Sequence, residues 1–174
     1  MIWLIITIAV ILLYLFALAP RLSRRDAMRA FSGTMFAHRG YHCKERGIPE
    51  NSMKAFRAAI ARGYGIELDL HLTKDGRLAV FHDDTLERMC KRTETVEELT
   101  SLELSSCTLL DTDETIPMFE DVLTLVRGRV PLLIELKIPT ASLQICEEVL
   151  RQMRNYQGPF LIQSFNTMGL RWFK

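Results

Sequence analysis

Cysteine is scarce and scattered in this chain. The four residues Cys43, Cys90, Cys107 and Cys146 form neither a metal knuckle nor a redox Cys-x-x-Cys pair. The spacing also excludes a disulfide framework, and the four read as reduced thiols in a cytosol-facing domain. Charge of one sign is missing too. The 22 basic and 21 acidic residues leave a net charge of +1, so nothing supports a nucleic-acid partner held by a basic surface. There is no internal repeat and no low-complexity tract. The 174 residues suffice for one core and fall short of two ordinary domains.

One long apolar run is present, from Ile2 to Ala19. At about 1.5 Å per residue it nearly crosses a hydrocarbon core of about 30 Å. No basic residue precedes it, and Arg21, Arg24, Arg25 and Arg29 follow at once. The positive-inside rule then puts the C-terminal side in the cytoplasm. Ala17-Leu18-Ala19 resembles a small-residue cleavage site, but a signal peptide wants a positive leader and a shorter apolar stretch. The expectation is a single-pass membrane anchor over 1–20, a basic juxtamembrane linker over 21–33, and one cytoplasmic domain over 34–174.

Within that domain, apolar runs alternate with helical periodicity. Strands are expected at 34–37, 65–70, 78–81, 131–136 and 160–164. Ser52 opens a helix in which Ala55, Phe56, Ala59 and Ile60 recur at helical spacing, and Gly63 ends it. Further helices are expected at 118–126, 142–154 and from Thr167 onward, with a weak one near 95–104. Thr73-Lys74-Asp75-Gly76 reads as a hairpin-like turn. Polar residues collect where strands end. The pattern predicts an α/β fold of parallel βα units with a site at the C-terminal face of the sheet. A closed eight-stranded barrel needs about 250 residues, so the chain reads as the first five strands of one.

The chemistry sits at those strand ends. Glu67 and Asp69 are two apart on one strand and share a face. Two carboxylates on a buried face repel unless a cation neutralises them, and an oxygen-only donor set suits Mg²⁺ or Ca²⁺. Glu135 ends another strand and completes such a set. His38 and His82 end two more strands, as a general acid and a general base would. His71 shares the face of Glu67 and Asp69 and is a spare ligand, while His42 is a loop residue. Arg39 and Lys137 supply positive charge, either to phosphoryl oxygens or simply to the neighbouring acids. Asn51 either meets a substrate hydroxyl or caps the helix at Ser52, and isolated asparagines at such places usually cap.

In order, Ala37-His38-Arg39-Gly40, Pro49-Glu50-Asn51-Ser52, Glu67-Leu68-Asp69, Thr73-Lys74-Asp75-Gly76, Phe81-His82-Asp83, Ile116-Pro117, Glu135-Leu136-Lys137 and Gln163-Ser164-Phe165-Asn166 resemble the glycerophosphodiester phosphodiesterase family. The resemblance runs from about residue 34 to the end. It implies a TIM (β/α)8 barrel and metal-dependent hydrolysis of glycerophosphodiesters to glycerol 3-phosphate and an alcohol. It implies His38 and His82 as the acid/base pair, with a metal-ligand role for His82 as the alternative. Glu67, Asp69 and Glu135 would hold one divalent cation, Mg²⁺ or Ca²⁺. Arg39 and Lys137 would grip the phosphate, and Glu50 and Asn51 would face the substrate. The stretch 88–96 lacks the glycine expected after the second histidine, and Thr167 stands where proline is expected. The C-terminal part of the barrel is missing on this reading. Two alternatives therefore stand beside hydrolysis of small glycerophosphodiesters. One is a lysophospholipase D-like activity on lysolipids. The other is an inactive membrane-tethered fragment that binds metal or phosphodiester. Oligomeric state and head-group preference are not legible.

Overall fold

The structure, a computed structural model, describes residues 2–18, 28–139 and 142–173. They divide into two compact units, Met1–Ser32 and Gly33–Lys174. The first unit contains helix α1 (Ile2–Leu18), whose side chains are exposed along residues 2–15. Its 17 residues reach about 26 Å at 1.5 Å each, short of a hydrocarbon core of about 30 Å. Among the described residues no helix is long and apolar enough to cross a membrane. The expected spanning anchor is therefore not supported. Arg21, Arg24 and Arg25 of the expected basic linker lie outside the described residues.

The second unit is an α/β sheet domain. Strands β1 (Phe36–Ala37), β2 (Gly65–Leu72), β4 (Leu132–Leu136) and β5 (Phe160–Gln163) run parallel in that order, and β3 (Leu78–Val80) pairs with β2 outside the path. Five strands are present among the described residues, as the sequence suggests, but β3 is antiparallel to β2, with Leu70 opposite Val80. The reason is its connection. Residues 73–77 are far too few for a parallel crossover, which takes a dozen or more. Asp75 fixes that turn by accepting from the Thr73 hydroxyl (2.6 Å) and from the Ser101 N–H and hydroxyl (2.8 and 2.7 Å). The parallel part is thus four strands, with β1 and β5 at its ends.

Alternation along β2 and β4 sorts the two faces of the sheet. Ile66, Leu68, Leu70, Leu132, Ile134 and Leu136 are buried in the main core, together with residues of three helices. These are α2 (Met53–Ala61), α5 (Phe119–Val126) and α6 (Gln144–Met153), which contribute Phe56, Phe119, Val122 and Val149 among others. Burying each such aliphatic or aromatic side chain contributes about 1.5–3 kcal/mol. With one face of the strands committed to the helices, Glu67, Asp69 and Glu135 are left on the opposite face.

Residues 79–118 form a satellite with a small core of its own, including Phe81, Leu86, Met89, Val96, Leu104 and Ile116. It contains the short helices α3 (Glu87–Cys90) and α4 (Ser101–Ser105). The single weak helix expected near 95–104 is two pieces. Two successive Thr-x-x-Glu boxes each start a helical turn: Glu98 accepts the Thr95 N–H and Glu103 the Thr100 N–H, both at 2.8 Å. A final helix, α7 (Thr167–Trp172), is capped by Asn166, which accepts from the Met168 and Gly169 N–H groups.

Candidate active site

The parallel register builds the acidic cluster. Asp69 on β2 stands opposite Glu135 on β4, which in turn stands opposite Gln163 on β5. Glu67 lies two residues before Asp69, on the same face. One carboxylate oxygen from each of Glu67, Asp69 and Glu135 lies within 4.8 Å of the others, and all three residues are buried. Burial, with the charges of Asp69 and Glu135 beside it, pushes the Glu67 carboxyl up to about 7, against the pull of the Arg39 N–H. Such a cluster calls for positive charge.

Lys137 supplies some of it. Its Nζ lies 3.0 Å from Asp69 Oδ1 and also donates to Glu135 Oε1. Burial alone would lower this ammonium, but the bonds to Glu135 and Asp69 raise it. Gln163 donates to the second Glu135 oxygen at 3.2 Å. Both possibilities for Lys137 stood open in the sequence, and in this structure it pairs with the acids.

Arg39 is likewise paired rather than free. Its backbone N–H donates to Glu67 Oε2 (2.8 Å) and its Nη1 to Glu50 Oε1 (2.9 Å), while Nε lies 3.7 Å from Asp69 Oδ2. Asn51 does not cap the helix. Ser52 does, accepting from the Ala55 N–H. The Asn51 amide donates instead to Asp69 Oδ2 at 3.0 Å, and its backbone N–H to the Arg39 carbonyl at 2.9 Å. Arg39 and Asn51 both have left-handed backbones, with φ of 54° and 51°. Non-glycine residues adopt that conformation at a cost of about 1–3 kcal/mol each, and here it turns two functional side chains toward one carboxylate. Gly40 follows with φ of 80°, and a Cβ there would lie 2.8 Å from that of Ala55. This is why glycine closes His38-Arg39-Gly40.

The two histidines differ. His38, at the end of β1, is exposed, with Nε2 4.0 Å from Glu67 Oε2. Partial burial and the neighbouring Arg39 charge hold it below the ordinary imidazole value, and His82 is near enough for its charge to act on it. His82 is half-buried, and its Nδ1 lies 2.7 Å from Asp83 Oδ1. Since a carboxylate only accepts, Nδ1 carries the hydrogen. His71 is no spare ligand. It is fully buried, and both its ring nitrogens are already bonded, to Glu97 (2.8 Å) and to the His82 carbonyl (3.4 Å). His42 lies on the loop after β1, as expected, at the edge of a cavity that also borders Glu50 and Arg88.

Sequence reasoning missed three contributors. Arg88 binds both Asp83 and Glu50. Asp83 orients His82, and Gln163 holds Glu135. The adjacency of His82 and Asp83 was a readable signal. The reach of Arg88 was not, because its second partner is 38 residues away.

The model of the glycerophosphoryl diester phosphodiesterase family matches residues 38–166. A glycerophosphodiester phosphodiesterase of Bacillus altitudinis is 38% identical over 151 residues, covering 80% of this chain and 60% of that protein. The crystal structure of the Agrobacterium tumefaciens glycerophosphodiester phosphodiesterase is similar with a TM-score of 0.69 and 28% identity, over 79% of this chain and 60% of that one. An Oleispira antarctica phosphodiesterase solved with its product sn-glycerol-3-phosphate has a TM-score of 0.72 at 24% identity, over 82% and 62% of the two chains. That last likeness shows the TIM-barrel-like fold alone. The chain spans about 60% of the length of curated relatives such as the Bacillus altitudinis protein.

Proposed function

As the chain belongs to the glycerophosphoryl diester phosphodiesterase family, we propose that it hydrolyses glycerophosphodiesters to glycerol 3-phosphate and an alcohol. The observation that carries the reading is the buried triad Glu67, Asp69 and Glu135, beside His38 and two bridging cations. The name of the Bacillus altitudinis relative, a glycerophosphodiester phosphodiesterase, fits the same substrate class.

The triad fits a divalent cation on its own chemistry. Three carboxylates and no soft donor suit Mg²⁺ or Ca²⁺. The Lys137 ammonium between Asp69 and Glu135 already marks the place as one that takes positive charge. Asn51 Oδ1, beside Asp69, is buried without a hydrogen-bond partner, as is Arg39 Nε. An acceptor and a donor left open at one site match a hydrated cation and a phosphoryl oxygen. Bound there, the cation supplies Lewis-acid stabilisation of the charge that develops on phosphorus oxygens.

The residues of the chain then divide the proton work. His38, held neutral, accepts the proton of the glycerol 2-hydroxyl as that oxygen attacks phosphorus. His82, starting as the imidazolium with Nδ1 donating to Asp83, gives its Nε2 proton to the departing alcohol oxygen. A cyclic phosphate results, and water opens it as the two rings exchange roles. Asp83 stabilises the charged ring for the first step, and afterwards keeps the neutral ring in the Nδ1–H tautomer whose Nε2 can take the proton of the attacking water. Arg39 and Lys137 give hydrogen bonds to phosphoryl oxygens once substrate competes for them.

The test is release of glycerol 3-phosphate from glycerophosphocholine by the 174-residue chain, with Mg²⁺, with Ca²⁺ and with chelator. Cation-dependent release is expected. A folded, cation-loaded chain that releases none overturns the proposal.

A further inference from the structure

Arg88 lies on α3, in the satellite, and outside the set of residues that would touch the phosphodiester. Leu86 and Met89 on either side of it are fully buried in the satellite core, so the short helix is anchored while Arg88 reaches out of it. All three guanidinium nitrogens are engaged. Nε donates to Asp83 Oδ2 (2.6 Å) and Nη2 to Asp83 Oδ1 (2.9 Å). Nη2 also donates to Glu50 Oε1 (2.6 Å) and Nη1 to Glu50 Oε2 (3.2 Å).

Those two carboxylates each hold a different residue of the site. Asp83 Oδ1 also receives His82 Nδ1, and Glu50 Oε1 also receives Arg39 Nη1. Arg39 in turn donates its backbone N–H to Glu67. A single run of charge-assisted hydrogen bonds thus links His82, Asp83, Arg88, Glu50, Arg39 and Glu67. An isolated surface pair contributes little, but a planar fork shared by two carboxylates fixes direction as well as distance. Lysine, with one charged point, cannot grip both.

We propose that Arg88 is a positioning residue. It sets the tautomer and orientation of His82 through Asp83 and the placement of Glu50 in the same stroke. The proposal rests on the phosphodiesterase reading above for its meaning, but its test does not. The full chain is prepared with isotope-labelled histidine, and the His82 ring-nitrogen signals are assigned by comparison with H82N. Spectra are compared for wild type, R88K, R88M and the distant surface control R151M. Wild type and R151M are expected to show His82 with hydrogen on Nδ1. R88M is expected to lose at least half of that tautomer while keeping the wild-type circular dichroism, and R88K to fall between. Glycerophosphocholine turnover is expected to drop on the order of 10²-fold in R88M, the effect of an ångström-scale misplacement. A folded R88M with the wild-type His82 tautomer overturns the proposal. If R88M does not fold, R88K with the wild-type tautomer does the same. An inactive wild type counts against the phosphodiesterase reading alone, since the ring-nitrogen spectra still decide the role of Arg88.

Discussion

Lys137 Nζ sits between Asp69 and Glu135, two carboxylates that face each other across adjacent parallel strands. The ammonium is half-buried and compensates acids that have almost no solvent. Breaking a buried pair by removing one partner leaves an uncompensated charge and costs about 3–5 kcal/mol. Lys137→Met is therefore expected to destabilise the cation-free chain by roughly 3 kcal/mol, read by urea unfolding in chelator. Saturating Mg²⁺ or Ca²⁺ is expected to recover much of the loss, because a cation that binds only the folded state adds stability by mass action. A cost unaffected by either ion would mean that Lys137 acts in packing rather than in charge compensation.

Glu67 gives the cluster a pH dependence of defined sign. Its folded value, about 7, lies above the ordinary 4.5. Between those values the folded chain holds a proton that the unfolded chain has lost, so cation-free stability falls as pH rises through this window. Cation binding requires the carboxylate, so it expels that proton. Affinity for Mg²⁺ or Ca²⁺ is expected to rise about tenfold per pH unit below pH 7 and to flatten above it. Calorimetry in buffers of different ionisation enthalpy would count the released proton. A pH-independent affinity between 5 and 7 would mean that Glu67 is not a ligand.

The exposed ring of His38 separates chemistry from stability. His38→Ala removes no buried contact, and its unfolding midpoint is expected to stay near that of the parent. Turnover of glycerophosphocholine is expected to fall about 10²–10⁴-fold, the ordinary contribution of a general base. A variant that loses activity only because its melting temperature has dropped would remove His38 from the acid/base pair.

The acidic triad was legible because strand alternation alone puts Glu67 and Asp69 on one face, and the ends of apolar runs mark where Glu135 stands. Register across strands is not written in either segment, so the meeting of Asp69 with Glu135 and of Glu135 with Gln163 had to come from the sheet. The same limit explains β3. Periodicity finds a strand at 78–81, but the direction of that strand follows from the length of the turn before it. Asn51 was misjudged as a cap because Ser52, one residue later, takes that role and leaves the amide free for Asp69. Contacts such as Arg88 with Glu50 join distant segments through side-chain reach, which local pattern does not encode.

Asp75 offers an acid-side counterpart to Glu67. Hydrogen bonds from Thr73 and Ser101 hold its carboxyl down to about 2, below the ordinary 3.8. Here the unfolded chain binds the proton first, so the stability that Asp75 lends is present above about pH 4 and is lost as pH falls toward 2. Asp75→Asn keeps the shape but gives up one acceptor and the charge. It is expected to cost about 1 kcal/mol at neutral pH and to flatten the acid limb of the stability curve. Equal slopes for variant and parent between pH 4 and 2 would sink the assignment.

Gly40 tests whether the backbone turn, rather than any side chain, positions the site. Its φ of 80° is one that L side chains rarely adopt, and an added Cβ would meet Ala55 Cβ at 2.8 Å and Phe56 Cδ1 at 3.0 Å. Both neighbours belong to α2 and are fully buried, so neither can yield cheaply. Gly40→Ala is expected to cost about 1–3 kcal/mol through overpacking and left-handed strain. The strain falls on the residue next to Arg39, whose N–H holds Glu67 and whose carbonyl holds Asn51. Cation affinity should therefore weaken along with stability, although the variant adds only a methyl group and removes no ligand. Calorimetric titration with Mg²⁺ or Ca²⁺ well below the melting temperature separates the two effects. Parent-like affinity in a destabilised variant would show that the turn supports the fold without aiming the triad.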